Sequence, residues 1–354
     1  MSDATADPWQ GFDGHEQTLV SEFDGVRMAI AVHSTVLGPA LGGTRMALYA
    51  DAARPGAAAY ADALRLSRAM TYKNALAGLD HGGGKGVIVA DPASKPAALL
   101  HAYGRLVESL DGRYVTAGDV GMTVADMDVI GEACRWTTGR SPEHGGVGDS
   151  GILTAFGVFE GLRACAEAVW GTSDLDGRRV AVVGAGKVGG RLIGHLHEAG
   201  AVVSAVDPSP EARSAVLDTC PTVRFAGSVD ELLDQELDVV SPNALGGFLT
   251  PERVSGLRTA LVCGGANNQL AEPGVGDLLA QRGIVYAPDF MVNCGGVIQV
   301  AEELVGCDLD RARERTARVF ATTLRVLERA STDGTTPVVA AEREAEDRIR
   351  AARS

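Results

Sequence analysis

Of the 32 basic residues in this chain of 354, only four are lysine: Lys73, Lys85, Lys95 and Lys187. Arginine serves wherever a permanent cation is enough, so a retained lysine marks a place where a proton has to come off. Lys73 in MTYKNA and Lys85 in HGGGKG stand twelve residues apart, each among small residues that admit a ligand or a second backbone. The plainer reading is a pair of solvated surface charges. Asp119 in TAGDVGM follows the β-like run YVT, at the carboxyl end of a strand, where α/β crevices open. Two lysines and a carboxylate around one crevice can fix a substrate carboxylate, activate water and carry a proton, which is the equipment of an amino-acid dehydrogenase. Asn267 and Asn268 in GGANNQL follow another apolar run, ALVCG, and would offer neutral polar groups to the same cleft.

A second constellation binds rather than reacts. Gly184, Gly186 and Gly189 of GAGKVGG follow the apolar run Val180 to Val183 and open a helical stretch. The first permits a tight turn, the second lets backbone N–H groups approach a pyrophosphate, and the third lets helix and strand pack closely. Asp207 lies eighteen residues beyond Gly189, at the end of the next β-like run. A carboxylate there accepts both hydroxyls of an adenosine ribose and repels a 2′-phosphate, so NAD is expected over NADP. HGGGKG is not a nucleotide-phosphate loop, because Leu79 replaces the first glycine of that pattern and Gly86 replaces its magnesium-binding hydroxyl. His195 and His197, two apart on a helix, face different sides and cannot share a metal, and no metal is expected.

The elements that position these groups read as an α/β chain of two domains. Up to about residue 145, β-like runs (Arg27 to His33, Gly86 to Ala90, Arg113 to Thr116) alternate with helical ones (Ala57 to Met70, Pro96 to Leu110, Val124 to Arg135). The glycine-rich bridge Ser141 to Gly151 follows, and is the expected hinge. Beyond it, a helix over Leu153 to Trp170 leads into a strand-then-helix rhythm whose apolar strands predict a parallel sheet covered on both faces. The expectation is an N-terminal α/β substrate and oligomerisation domain over 1–145 and a Rossmann-type, doubly wound NAD-binding domain over 146–330, separated by a cleft. A long amphipathic helix is expected from Asp308, and a last charged helix, within 331–354, packing back on the first domain.

Composition excludes several classes. A net charge of −14 and a pI near 5.0 oppose the basic footprint that nucleic-acid binding needs. Six cysteines without a Cys-x-x-Cys pair suit reduced thiols in packed positions. No apolar stretch approaches the roughly 20 residues that cross a bilayer. The polar start lacks a targeting pattern, so no membrane partner is expected and the cytoplasm is the expected compartment.

Eight segments in order carry a family resemblance: HSTVLGPALGGTR (33–45), MTYKNALAGLDHGGGKGVI (70–88), GRYVTAGDVGMTVADMD (112–128), CRWTTGRSPE (134–143), GDSGILTAFGVF (148–159), GAGKVGG (184–190), VCGGANNQLA (262–271) and APDFMVNCGGVIQVAEEL (287–304). The chain resembles the glutamate/leucine/phenylalanine/valine dehydrogenases over nearly its whole length, and its valine-type bacterial branch most. The resemblance implies that Lys73 and the Gly43 N–H bind the substrate α-carboxylate and that neutral Lys85 activates water. It implies that Asp119 relays protons to and from the departing nitrogen, and that Asn267 orients substrate and nicotinamide ribose. Thr154 would contact the carboxamide, and Lys187, Val188 and Ala244 would border the cofactor with the three glycines. Leu41, Met70 and Val297 would form an apolar side-chain pocket that leaves a glutamate carboxylate unpaired. The implied reaction is reversible oxidative deamination of an apolar, branched-chain L-amino acid to 2-oxo acid, ammonia and NADH, by a homo-oligomer, a dimer being expected. The alternatives are the same chemistry on phenylalanine or an unusual amino acid, and a non-catalytic NAD-binding scaffold. Departures from the pattern are an apparent insertion at 52–59, Asn243 for Cys, Gly265 and Cys294 each with Ala expected, and Met122 for Thr.

Overall fold

The computed structural model describes residues 12–49 and 56–353, so half of the apparent insertion, residues 52–55, lies outside the described residues. The chain divides into two compact units. One holds residues up to Asp149 together with Val300–Leu309 and the chain from Arg348; the other holds Ser150–Gln299 and Asp310–Asp347.

The first unit is built on a mixed five-stranded sheet. Its strands are β1 (Gln17–Phe23), β2 (Val26–Ser34), β3 (Ala40–Ala47), β4 (Gly82–Val89) and β5 (Tyr114–Gly118), in the order β1-β2-β4-β3-β5. β1 and β2 form a hairpin through Asp24 and Gly25, both at positive φ, as a two-residue turn between twisted strands requires. β2 runs antiparallel to β4, whereas β3, β4 and β5 are parallel.

Glycine is a poor strand former, yet β4 reads GGGKGVIV. Close approach of its neighbours explains this. A Cβ on Gly83 would lie 2.1 Å from the Thr71 nitrogen, in the helix Ala57–Leu76. On Gly84 it would lie 2.5 Å from the Tyr114 ring, and on Gly86 1.8 Å from the Tyr103 hydroxyl, in the helix Ala97–Glu108. Alternation along the strand therefore assigns its two faces. Gly84 and Gly86 turn to a core built from Tyr103, Tyr114, Met127 and Ile130. Gly83 and Val87 turn to the helix Ala57–Leu76, Val87 packing with Ala59, Ala63 and Leu64, and Lys85 between them shares that face. The helix also runs past its expected end at Met70, carrying Lys73 and Asn74 over the sheet.

The second unit holds β6 (Arg179–Val183), β7 (Val202–Val206), β8 (Arg224–Phe225), β9 (Val239–Pro242), β10 (Leu261–Val262) and β11 (Val285–Tyr286). All its pairings are parallel, in the order β11-β10-β9-β6-β7-β8, so the winding reverses between β6 and β9. This is the doubly wound arrangement that opens a crevice at the carboxyl ends of its central strands. Ala181 and Val183 enter a core with Leu232, Val254 and Leu279, while Val180 and Val182 are buried on the other face. The single helix expected from Asp308 is two, Leu309–Ala317 and Val319–Asp333. At their join the Arg318 N–H bonds the Arg315 carbonyl, a tighter turn than the α-helical step. In the closing helix Pro337–Ala351, Arg348 donates to the Asn74 and Ala75 carbonyls and to Asp80, satisfying orphan acceptors at the end of Ala57–Leu76.

His15 and His33 meet edge to face at 4.9 Å beside this first helix, His15 against the Leu64 carbonyl and Ser67, His33 against Thr71. Burial, then the His15 and Arg68 charges, push His33 down to about 4, against the opposing pull of Asp13. A histidine depressed in the folded state leaves the unfolded chain to take the proton first. Stability should thus be full above pH 6.5 and fall between pH 6.5 and 4. Urea unfolding at pH 7, 5.5 and 4.5 should show this fall in the native chain and a smaller one in His33→Asn.

Candidate active site

Lys85 is only 5% exposed, and its Nζ lies 2.7 Å from Asp119 Oδ2. A cation in the middle of a strand needs a partner that can reach it, and Asp119 is the residue immediately after β5. The Asp119 N–H donates to the Thr44 carbonyl, tying the strand end to β3. The same Oδ2 also takes Arg45 Nε at 3.1 Å, and Arg45 Nη1 reaches Asp62 on the helix Ala57–Leu76 at 2.9 Å. Tyr49 donates to that Asp62 oxygen as well. Burial opposes ionisation of Asp119, but the Lys85 and Arg45 charges outweigh it and hold the carboxyl well below the usual range. Arg45 is likewise stabilised as a cation, burial being outweighed by Asp119 and Asp62.

Gly43 leaves the space that Asp119 occupies, since a Cβ there would come within 2.8 Å of the Asp119 Cβ. Leu41, two residues back on β3, is fully buried. Met70 packs against the close crossing of Gly42 and Gly84. Lys73 is half-buried in the last turn of the same helix. Next to it, Asn74 donates to the Leu41 and Gly82 carbonyls, bracing β3 and β4 at 3.0 and 2.6 Å. The first unit thus gathers Lys73, Lys85, Asp119, Gly43, Leu41 and Met70 around the junction of β3, β4 and one helix. Sequence reasoning missed Arg45 and Asp62 as members of this group. The signal was present in GGTR, but only the unforeseen strand β3 puts Gly43 and Arg45 on one face.

In the second unit the carboxyl ends of β6 and β9 meet at the glycine turn. Gly184 has φ 94°, and a Cβ there would lie 2.9 Å from the Ala244 Cβ. A Cβ on Gly189 would lie 1.9 Å from the Gly184 carbonyl oxygen, which accounts for the third glycine. Around Gly186, by contrast, no atom lies within 4 Å of such a Cβ. That residue is exposed, as are Lys187 and Ala244, and the helix Gly189–Glu198 starts behind them. Asp207, next after β7, accepts from the Ala185 N–H at 2.7 Å and the Ser209 N–H at 2.8 Å, so it also braces the turn. Each of its oxygens keeps a further lone pair for a ligand hydroxyl. Open backbone at a helix start with an adjacent carboxylate fits a dinucleotide.

Two of the departures from the family pattern touch one another here. Asn243 Oδ1 accepts from the Gly265 N–H at 2.9 Å, and a Cβ on Gly265 would lie 2.9 Å from that oxygen and 2.8 Å from Val188 Cγ1. The larger residue at 243 is therefore accommodated by the smaller one at 265. Asn267 accepts from Asn293 Nδ2 at 2.8 Å, a bracing contact that the sequence did not single out. Thr154 bonds its hydroxyl to the Ser150 carbonyl, near Gly296, and Val297 is almost fully buried in the helix Gly295–Glu303. Cys294 is buried, and Met122 packs on the tyrosine-side core of the first sheet, the face opposite Lys85. Among the described residues no group of side chains is placed to hold a metal, and His195 lies against Phe156 and Phe159 instead.

Comparison with known proteins agrees with this geometry. Residues 15–136 match the Glu/Leu/Phe/Val dehydrogenase dimerisation domain, and 211–341 match the Glutamate/Leucine/Phenylalanine/Valine dehydrogenase domain. The chain is 54% identical to the valine dehydrogenase of Streptomyces virginiae over 96% of its own length and 95% of that protein. It is 43% identical to the leucine dehydrogenase of Bacillus subtilis, over 93% and 89% of the two chains. Among solved structures, the L-tryptophan dehydrogenase of Nostoc punctiforme superposes with a TM-score of 0.81 at 38% identity, covering 96% and 97% of the two chains. With both domain matches and identity sustained along the whole chain, the protein belongs to the glutamate/leucine/phenylalanine/valine dehydrogenase family.

Proposed function

We propose that the protein catalyses NAD-dependent, reversible oxidative deamination of a branched-chain L-amino acid, valine foremost. The observation that carries this is the buried Lys85–Asp119 pair beside Gly43, with Lys73 on the helix packed against the same strand, in a chain 54% identical to a valine dehydrogenase. The Lys73 ammonium and the Gly43 N–H bind the substrate carboxylate. Leu41 and Met70 supply apolar surface in the first unit, so a side-chain carboxylate there would be desolvated without a partner. One methylene in such surroundings is worth only about 1–3 kcal/mol, so leucine and isoleucine should be turned over as well.

The glycine turn from Gly184 to Gly189 would hold the pyrophosphate, Asp207 the adenosine ribose, Thr154 the carboxamide and Asn267 the nicotinamide ribose, with Lys187, Val188 and Ala244 bordering the site. The hydride lost from the substrate Cα would go to NAD bound there, leaving an imino acid. Lys85 then removes a proton from water as its oxygen adds to the imine carbon, and Asp119 relays that proton from Lys85 to the nitrogen; the added hydroxyl gives up its proton along the same route as the C–N bond breaks, leaving the 2-oxo acid and ammonia.

Phenylalanine or another aromatic amino acid is the second reading, favoured by the 38% identity to a tryptophan dehydrogenase. We further propose a homo-oligomer, a dimer in its simplest form, working in the cytoplasm; no helix among the described residues is long and apolar enough to cross a membrane.

NADH formation from NAD with L-valine, L-leucine, L-isoleucine, L-phenylalanine and L-glutamate tests the substrate directly. Valine should lead and glutamate should be inert; a lead by phenylalanine would overturn the branched-chain pocket while keeping the chemistry. Lys85→Ala should lower turnover by about 10²–10⁴-fold with NAD binding retained, and unchanged activity would remove Lys85 from the mechanism. The glycine turn yields a paired expectation. Gly184→Ala should cost about 1–3 kcal/mol of stability in thermal melts, because its φ and the Ala244 contact both resist a side chain. Gly186→Ala should melt like the native chain and instead raise the KM for NAD.

A further inference from the structure

We infer that Tyr114 is a positioning residue that sets the direction of the Gly43 N–H through the carbonyl of Gly42. The inference rests on the proposed binding of the substrate carboxylate by that N–H. The Tyr114 hydroxyl donates to the Gly42 carbonyl at 2.9 Å, and its next neighbours, Thr116 Oγ1 and the Gly43 carbonyl, are farther, at 3.3 and 3.5 Å. Its ring lies under Gly84, on the face of the sheet opposite Lys85. Gly42 C=O and Gly43 N–H belong to one peptide, and the described chain has no cis peptide bond. In a trans peptide the two groups point in opposite directions. A carbonyl drawn toward the Tyr114 hydroxyl therefore sends the Gly43 N–H away from it, toward the face that carries Lys85.

The strand ladder agrees. Register between β3 and β4 runs through Leu41–Gly83 and resumes at Thr44–Gly86, so it lapses at this peptide. On its other side the peptide stays in register with β5, Gly42 opposite Thr116 and Gly43 opposite Ala117, so the Tyr114 hydroxyl is a further anchor on a plane that the β4 side leaves unpaired and that no side chain of Gly42 or Gly43 can hold. The surrounding hydroxyls leave Tyr114 free to donate. Thr44 Oγ1 donates to the Tyr103 hydroxyl at 2.6 Å, and Thr116 Oγ1 lies 2.5 Å from Thr44 Oγ1, so that chain of donors runs toward Tyr103. Burial raises the Tyr114 hydroxyl well above its ordinary range, which keeps it a donor at any working pH.

The test is steady-state kinetics of Tyr114→Phe beside Tyr103→Phe. The second variant takes a hydroxyl from the same buried network without touching Gly42. Tyr114→Phe should raise the KM for both L-valine and 2-oxo-3-methylbutanoate about 5- to 20-fold, with kcat changed less than about threefold and the KM for NAD unmoved. Tyr103→Phe should lower the melting temperature and leave every KM near the native value. Equal KM shifts in the two variants, or none in Tyr114→Phe, would overturn the positioning role. An independent measurement uses the native chain, so misfolding of a variant cannot hide the answer. With glycine labelled by nitrogen-15, the Gly43 amide should become protected from hydrogen exchange when 2-oxo-3-methylbutanoate is added with NADH. An amide already protected in the free enzyme, or unaffected by the oxo acid, would refute the assignment. A native chain without amino-acid turnover would instead overturn the proposed function, and this inference with it.

Discussion

A lysine buried in mid-strand is the constraint on which the first unit depends. Lys85 sits between glycines on a strand pressed by a helix on one face and two tyrosines on the other. Water cannot solvate a group so enclosed, and an unpaired ammonium there would cost several kcal/mol. Asp119 meets that need because β5 ends one residue before it and Gly43 leaves room for its side chain. Once Asp119 is fixed, Arg45 is fixed with it, and through Asp62 the helix that carries Met70, Lys73 and Asn74. Site and fold are therefore held by the same contacts.

The second unit reaches its end by backbone rather than by charge. Its crevice follows from strand order, and the glycine turn occupies the point where the winding reverses. Close packing fills the space around Gly184 and Gly189, and leaves it empty only around Gly186. The contact of Asn243 with Gly265 shows how tightly this region is coupled: a polar side chain at the end of β9 demands a missing one beyond β10. Departures from a family pattern that look independent along the chain can be one event in space.

What the sequence made legible follows from how each element announces itself. The second unit's apolar strands and spaced glycines were readable because parallel strands buried on both faces are continuously hydrophobic. Lys73, Lys85 and Asp119 could be singled out by residue type alone. β3 and the start of β4 could not, since PALGGTR and GGGKG hold a single β-branched residue, Thr44, among glycines that disfavour strands; the packing that makes them strands comes from residues far away in sequence. With β3 unread, Arg45 stayed invisible, although Gly43 two residues before it was named. Tyr114 was hidden for another reason: a buried tyrosine in a strand reads as core, and only its hydrogen-bond partner distinguishes it.

The two cations on one oxygen of Asp119 are not chemically equivalent. Arg45 is planar, permanently charged and tied at its other end to Asp62, so it can keep Asp119 ionised and oriented without taking part in proton traffic. Lys85 has no such second anchor among the described hydrogen bonds of its Nζ, and an amine can give up and regain a proton where a guanidinium cannot. Exchange of the two residue types would preserve the total charge around Asp119 and yet destroy the division of labour. Of the two cations that meet on Asp119, the lysine is the one whose residue type allows its charge to vary.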